Sequence, residues 1–137
     1  MKMEKQEVFL VSAASKAGEA FIRKLIQHRI PLVALANNAK EREKLEEMGV
    51  KKIVIVDTTD ESTWVAPEYS ITKIFLFESS QNLSCRYIRL CRSWTANAIV
   101  VITRSNKPRL MYRALGANCV IHTTNDDVSS LFQSLVG

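Results

Sequence analysis

Val8-Phe9-Leu10-Val11-Ser12-Ala13-Ala14-Ser15-Lys16-Ala17-Gly18 is the stretch on which the fold turns. Four apolar residues followed by small ones read as a short buried strand entering a loop. Beyond it, Ala17, Phe21, Ile22, Leu25 and Ile26 recur at helical spacing, while Glu19, Arg23, Lys24 and Gln27 fill the opposite face. Another apolar run begins at Leu32. Strand, loop, amphipathic helix and strand in that order make a crossover unit, which sets its two strands parallel.

The pattern repeats along the chain. Candidate strands are Glu7–Val11, Leu32–Ala36, Lys52–Val56, Lys73–Phe77, Ala98–Ile102 and Cys119–His122. A charged helix over Lys40 to Met48 should stop at Gly49, and a short turn capped from Asp57-Thr58-Thr59-Asp60 should end near Trp64, ahead of Pro67. A helix from Gln81 to Trp94 follows a Ser79 or Ser80 cap. Pro108 opens another, Arg109 to Leu115, closed by Gly116. The last, Asp126 to Leu135, starts with two acids where the helix dipole favours them. The expected fold class is α/β, a Rossmann-type three-layer sandwich around a six-stranded parallel sheet, with residues 1–137 as a single domain.

Composition narrows the function classes. With 137 residues, 47% of them apolar, one core is affordable but not two. No apolar run approaches the roughly 20 residues of a membrane span, and Met1-Lys2-Met3-Glu4-Lys5-Gln6 leads into a strand and not into a signal-peptide core. A cytoplasmic protein without membrane insertion is expected. Cys85, Cys91 and Cys119 are odd in number and lack metal-ligand spacing, so buried thiols are the reading, and His28 and His122 are isolated. Charge is uneven: between Ser79 and Asn125 fall seven of the 19 basic residues and none of the 14 acidic ones.

In the order of its landmarks the chain resembles the TrkA-N or RCK domains, the NAD(P)-binding Rossmann lobes that regulate potassium channels and transporters. Ala13-Ala14-Ser15-Lys16-Ala17-Gly18 sits where that family has GxGxxG, and Leu35-Ala36-Asn37-Asn38-Ala39 where its second strand ends in an acid. Lys44 to Val50 matches its helix end before strand three. Val56-Asp57-Thr58-Thr59-Asp60 is similar to its Gly-Asp-Ala-Thr-Asp turn, Ser80-Gln81-Asn82 to its Asp-x-Asn helix opening, Thr103-Arg104 to its strand-five Arg, and Leu115 to Ile121 to its Leu-Gly-Ala-Asp-x-Val-Ile close.

The resemblance implies a cofactor site formed by Ala13, Ser15, Lys16, Gly18, Asn37, Asp57, Glu78, Ser79 and Arg104, taking NAD(P) or an adenine nucleotide weakly, if at all. In a dinucleotide loop the first glycine makes the turn, the second admits the pyrophosphate and the third lets helix pack on strand. Only the third, Gly18, is present. Ser15 can hydrogen-bond an anion and Lys16 neutralise one. At the ribose position the acid is replaced by Ala36. Asn37 or Asn38 offers a weaker contact and Lys40 or Arg42 suits a 2′-phosphate, though a charged helix surface accounts for all four. Asp57 has a structural use as a cap as well as a place near the adenine end.

Enzymatic chemistry has little to stand on. Tyr69-Ser70-Ile71-Thr72-Lys73 matches the YxxxK of short-chain dehydrogenases, but that pair needs a helix and here it approaches a strand. No GxSxG, paired His and carboxylate or metal-ligand spacing occurs. The basic segment containing Arg86, Arg89, Arg92, Arg109 and Arg113, with Tyr87, Trp94 and Tyr112 interspersed, suits a homodimer or protein contact first, an anionic phosphate ligand second and nucleic acid third. The expected function is a non-catalytic regulatory or interaction domain with weakened or lost NAD(P) binding. The alternative is an NAD(P)-binding oxidoreductase or epimerase-like protein.

Overall fold

The computed structural model describes residues 6–13, 15–105, 109–124 and 128–136. Six strands, β1 (Glu7–Ala13), β2 (Leu32–Ala36), β3 (Ile53–Ile55), β4 (Ser70–Phe77), β5 (Ala98–Thr103) and β6 (Cys119–His122), form one sheet in the order β3-β2-β1-β4-β5-β6, every pair parallel. The helices are α1 (Lys16–Gln27), α2 (Ala39–Glu47), α3 (Gln81–Trp94), α4 (Arg109–Leu115) and α5 (Ser129–Leu135), with a 3₁₀ turn at Glu61–Thr63. This is a Rossmann-type α/β fold. The order reverses between β1 and β4, and such a switch point opens a crevice beyond the carboxyl ends of the strands.

Alternation along the strands builds two cores. Val11, Ala34, Phe75 and Val100 meet Phe21, Ile22 and Leu25 of α1, Leu45 of α2 and Phe132 of α5. On the other face Leu10, Val33, Ile74 and Ile99 meet Ile88 and Cys91 of α3 and Tyr112 of α4. A strand buried on both faces must be apolar at every position, which is why Ile74-Phe75-Leu76-Phe77 is continuous.

Helix ends follow side-chain chemistry. Ser15, Asn38 and Ser80 accept hydrogen bonds from the amides of Gly18, Glu41 and Leu83 and so start α1, α2 and α3. Gly49 and Gly116, at φ +96° and +126°, follow α2 and α4 in a left-handed conformation that a side chain would strain. The 3₁₀ turn is capped by Asp60, not by Asp57. Pro108, Asp126 and Asp127, expected to open the last two helices, lie outside the described residues, as does Ala14.

Strand bounds differ from the sequence pattern in four places, of which the smallest is β5, one residue longer at Thr103. Both β1 and β4 run longer than expected, β1 by two residues past Val11 and β4 from Ser70, because Glu7–Ala13 pairs along its whole length with Ser70–Phe77 through a bulge at Val8/Phe9. By contrast β3 is only Ile53–Ile55, an edge strand paired on one side.

Candidate functional site

The β1–α1 loop sits at the switch point, so its residues form the floor of the crevice. Ser15 is spent on the helix: its Oγ accepts the Gly18 amide at 3.1 Å. A Cβ on Gly18 would stand 2.8 Å from Ala13 Cα and 3.0 Å from Phe77 Cβ, so α1 lies directly against β1 and β4. Gly18 thus has the packing role expected of the third glycine. With the other two glycine positions held by Ala13 and Ser15, the loop presents side chains where a pyrophosphate cradle presents bare backbone.

Two small cavities flank this loop. One, of about 110 Å³, is lined by Ser15, Lys16, Glu78, Arg104 and Thr123. Within it Glu78, following β4, is already held by protein: Thr103 Oγ1 donates to Oε1 at 2.7 Å and the buried Tyr112 hydroxyl donates to Oε2. Burial, and then the hydrogen bond and charge of Glu78, push the Tyr112 phenol well above its ordinary range. It stays a neutral donor. Burial and Glu78 also raise the Cys85 thiol, the opposite of what a nucleophile needs. Arg104 reaches the carbonyl of Thr124 at 3.3 Å, and its own carbonyl meets His122 Nε2 at 3.0 Å.

The other cavity, of about 130 Å³, lies over the ends of β1 and β2. Ser12, Ala13, Leu35, Glu41, Leu45 and Tyr87 contribute to its walls. Asn37 stands beside it, its amide donating to Glu41 Oε2 at 2.6 Å and its Oδ1 accepting from Thr58 Oγ1 at 3.1 Å. Thr58 in turn accepts from Arg86 Nε at 3.0 Å. Asp57 is fully exposed and faces neither cavity. Its Oδ1 accepts from the Thr59 hydroxyl and amide, which hold its carboxyl below the usual range. Ser79 is exposed and lines neither cavity.

Of the proposed site residues, Ser15, Lys16, Glu78 and Arg104 therefore share one cavity, Ala13 lines the other with Asn37 beside it, and Asp57 and Ser79 belong to neither. Glu41 is the residue that the sequence reading passed over. Its signal was the Asn38-Ala39-Lys40-Glu41 spacing, which is that of a capping box. Here the carboxylate reaches one residue further back, to Asn37.

The expected basic contact face is depleted by internal partners. Arg86 is tied to Thr58, and Arg89 to Glu61 at 3.1 Å. Arg92 donates to the carbonyls of Thr95, Asn97 and Gly116 and to Asn118 Oδ1. Its guanidinium is a structural clamp between the ends of α3 and α4. Arg109 and Arg113 are exposed on α4, beside the exposed Leu110 and Met111. Tyr69 and Lys73 part company: the Tyr69 ring lies under Lys52, 5.1 Å away, and Lys73 Nζ reaches the Leu135 carbonyl. Among the described residues no helix is long and apolar enough to cross a membrane, and no group of metal-ligating side chains occurs.

No protein-family model matches the sequence, and a search of curated proteins finds no match. Solved structures do match the fold. The NAD(P)-binding domain of an exopolyphosphatase-related protein from Archaeoglobus fulgidus is 23% identical, with 96% of each chain covered and a TM-score of 0.71. The GsuK channel bound to NAD is 19% identical at a TM-score of 0.70, over 88% of this chain and 22% of that one. The TrkA-N domain of inner membrane protein ybaL from Escherichia coli is 15% identical over 98% and 99% of the two chains, at a TM-score of 0.66. The chain thus has the Rossmann-type fold of TrkA-N and RCK NAD(P)-binding domains.

Proposed function

We propose that the chain is a non-catalytic, Rossmann-type regulatory or interaction domain whose nucleotide site is retained in outline and weakened in strength. It works as a cytoplasmic homodimer, and α4 with its exposed Leu110, Met111, Arg109 and Arg113 is the surface we assign to the partner contact. The observation that carries the reading is the β1–α1 loop. It occupies the switch point of a dinucleotide-binding fold, yet Ser15 stands at the second glycine position with its hydroxyl committed to Gly18. A nucleotide there would meet a side chain where the pyrophosphate approaches backbone. The fold neighbours include a channel bound to NAD, which supports a nucleotide as the ligand class.

Catalysis lacks support on the same geometry. The one dehydrogenase-like pair has Tyr69 just ahead of β4 and Lys73 in its first half, away from the crevice, with both side chains engaged elsewhere. Calorimetric titration with NADH, NADPH, ATP and AMP tests the proposal. Dissociation constants weaker than about 100 μM are expected for the best of them, and one tighter than about 10 μM would refute a weakened site.

A further inference from the structure

We propose that Glu41, from the first turn of α2, replaces the missing strand-two carboxylate as the acceptor for the ribose hydroxyls of an adenine nucleotide lacking a 2′-phosphate. This rests on the nucleotide reading above and names the ligand class of that site.

Three observations converge. Ala36, at the end of β2, has no group to offer a ribose, and Glu41 brings a carboxylate back to that point. Its Oε2 lies 2.6 Å from the Asn37 amide, while Oε1 bonds to no described residue. Lys40, Arg42, Glu43, Lys44, Glu46 and Glu47 on the same helix are exposed, and Glu41 is half-buried. Its position is thus set by the strand end and not by solvent.

The cavity beside it supplies matching partners. Tyr87 and Ser12 line it at 3% and 2% exposure, and neither hydroxyl hydrogen-bonds to a described residue. Among the described residues no buried side-chain polar atom lacks a partner, so both hydroxyls keep an accessible edge that the polar groups of a ligand in the cavity can meet. Burial, and secondarily the Glu41 charge, hold Tyr87 as a neutral phenol able to donate. One carboxylate acceptor and two hydroxyls, backed by Leu35 and Leu45, suit a sugar diol with an apolar ring face. At about 130 Å³ the cavity takes one moiety of a ligand and not a whole dinucleotide.

Charge on the cavity wall, Glu19 and Glu41 against Lys44, disfavours a 2′-phosphate. Lys44, on the cavity wall, is 2.5 Å from Glu19 Oε1. Arg42 pairs with Glu46 at 2.8 Å, and neither Arg42 nor Lys40 reaches the cavity. A phosphate there would meet two carboxylates and would have to draw Lys44 away from Glu19.

Titration of the ¹⁵N-labelled full chain with NAD⁺ and with NADP⁺, followed by amide shifts, tests this. NAD⁺ should bind at least about tenfold more tightly than NADP⁺. Glu41→Gln should weaken NAD⁺ about tenfold and narrow the preference, because a hydrogen bond to a charged acceptor is lost. Tyr87→Phe should weaken NAD⁺ severalfold without lowering the melting temperature, since its hydroxyl has no protein partner, and this variant keeps the test open if Glu41→Gln folds poorly. Equal or tighter NADP⁺ binding, or undiminished NAD⁺ binding by both variants, overturns the assignment of Glu41 and leaves the nucleotide reading intact. Binding of neither cofactor overturns both.

Discussion

Arg92→Lys tests whether the basic residues of α3 form a contact face or an internal brace. In the folded chain the guanidinium donates at 3.1 Å to Thr95 O, 2.9 Å to Asn97 O, 2.5 Å to Gly116 O and 2.8 Å to Asn118 Oδ1. The bonds to Thr95 and Gly116 are partly buried and the other two exposed, so the first pair carries most of the energy. Hydrogen bonds from a charged donor contribute about 1.5–3 kcal/mol each when water is excluded. Discounting for exposure, losing the fork should cost about 2–3 kcal/mol. Lysine keeps the charge but, as a point donor, cannot span four acceptors. For a domain of this size that loss lowers the melting temperature by roughly 6–12 °C. Arg89→Lys is the control: Arg89 and Glu61 are 57% and 68% exposed, and such pairs contribute about 0–1 kcal/mol. Thermal melts of the two variants at equal ionic strength decide. If Arg92→Lys melts with Arg89→Lys and wild type, the clamp is not structural and the contact-face reading of Arg92 returns.

Two further outcomes follow from the crevice and its rim. Gly18→Ala should destabilise the fold by about 1–3 kcal/mol in urea denaturation, because its Cβ would meet Ala13 Cα at 2.8 Å, and backbone on a central strand cannot yield cheaply; an unchanged midpoint would contradict the close packing. Asp57 has its pKa lowered by the two Thr59 bonds, so its contribution to stability is present above the unfolded-state value and is lost as pH falls through the folded one. An NMR titration should place its midpoint below that of an unperturbed aspartate, and Thr59→Ala, which removes the hydroxyl donor and keeps the backbone one, should move it part of the way back.

How much was legible follows from the range of the interactions involved. The helix from about Gln81 to Trp94 and the end of the next at Leu115 can be read from sequence because their signals, a serine cap at 79 or 80 and Gly116, lie next to the helix. The same holds for the parallel order, since Leu32–Ala36 and Cys119–His122 are bounded apolar runs. Ser70 to Thr72 escaped because their strand character comes from pairing with Glu7 and Val8, far away in sequence. Arg92 looks the same at three-residue spacing whether it faces solvent or Gly116 O. Its acceptors lie as far as 26 residues on, where no local pattern records them. Among the candidate site residues, Ser15, Lys16, Glu78 and Arg104 share one cavity and Ala13 lines the other, whereas Asp57 and Ser79 face neither. Local motifs fix which loop a residue belongs to and not which cavity it faces.

The strand order has a consequence for how the chain acquires its structure. Among the described strands the earliest in the chain is a central one, and its neighbour β4 begins 63 residues later, with Glu7 opposite Ser70. During synthesis β1 can pair early with β2, but its second edge stays open until β4 emerges. Non-local parallel pairing of this kind is slow, and an unpaired apolar edge invites other chains. Substitutions that hold β1 and β4 apart, Gly18→Ala among them, would therefore lower the yield of soluble protein in a growing cell further than their effect on the finished fold implies.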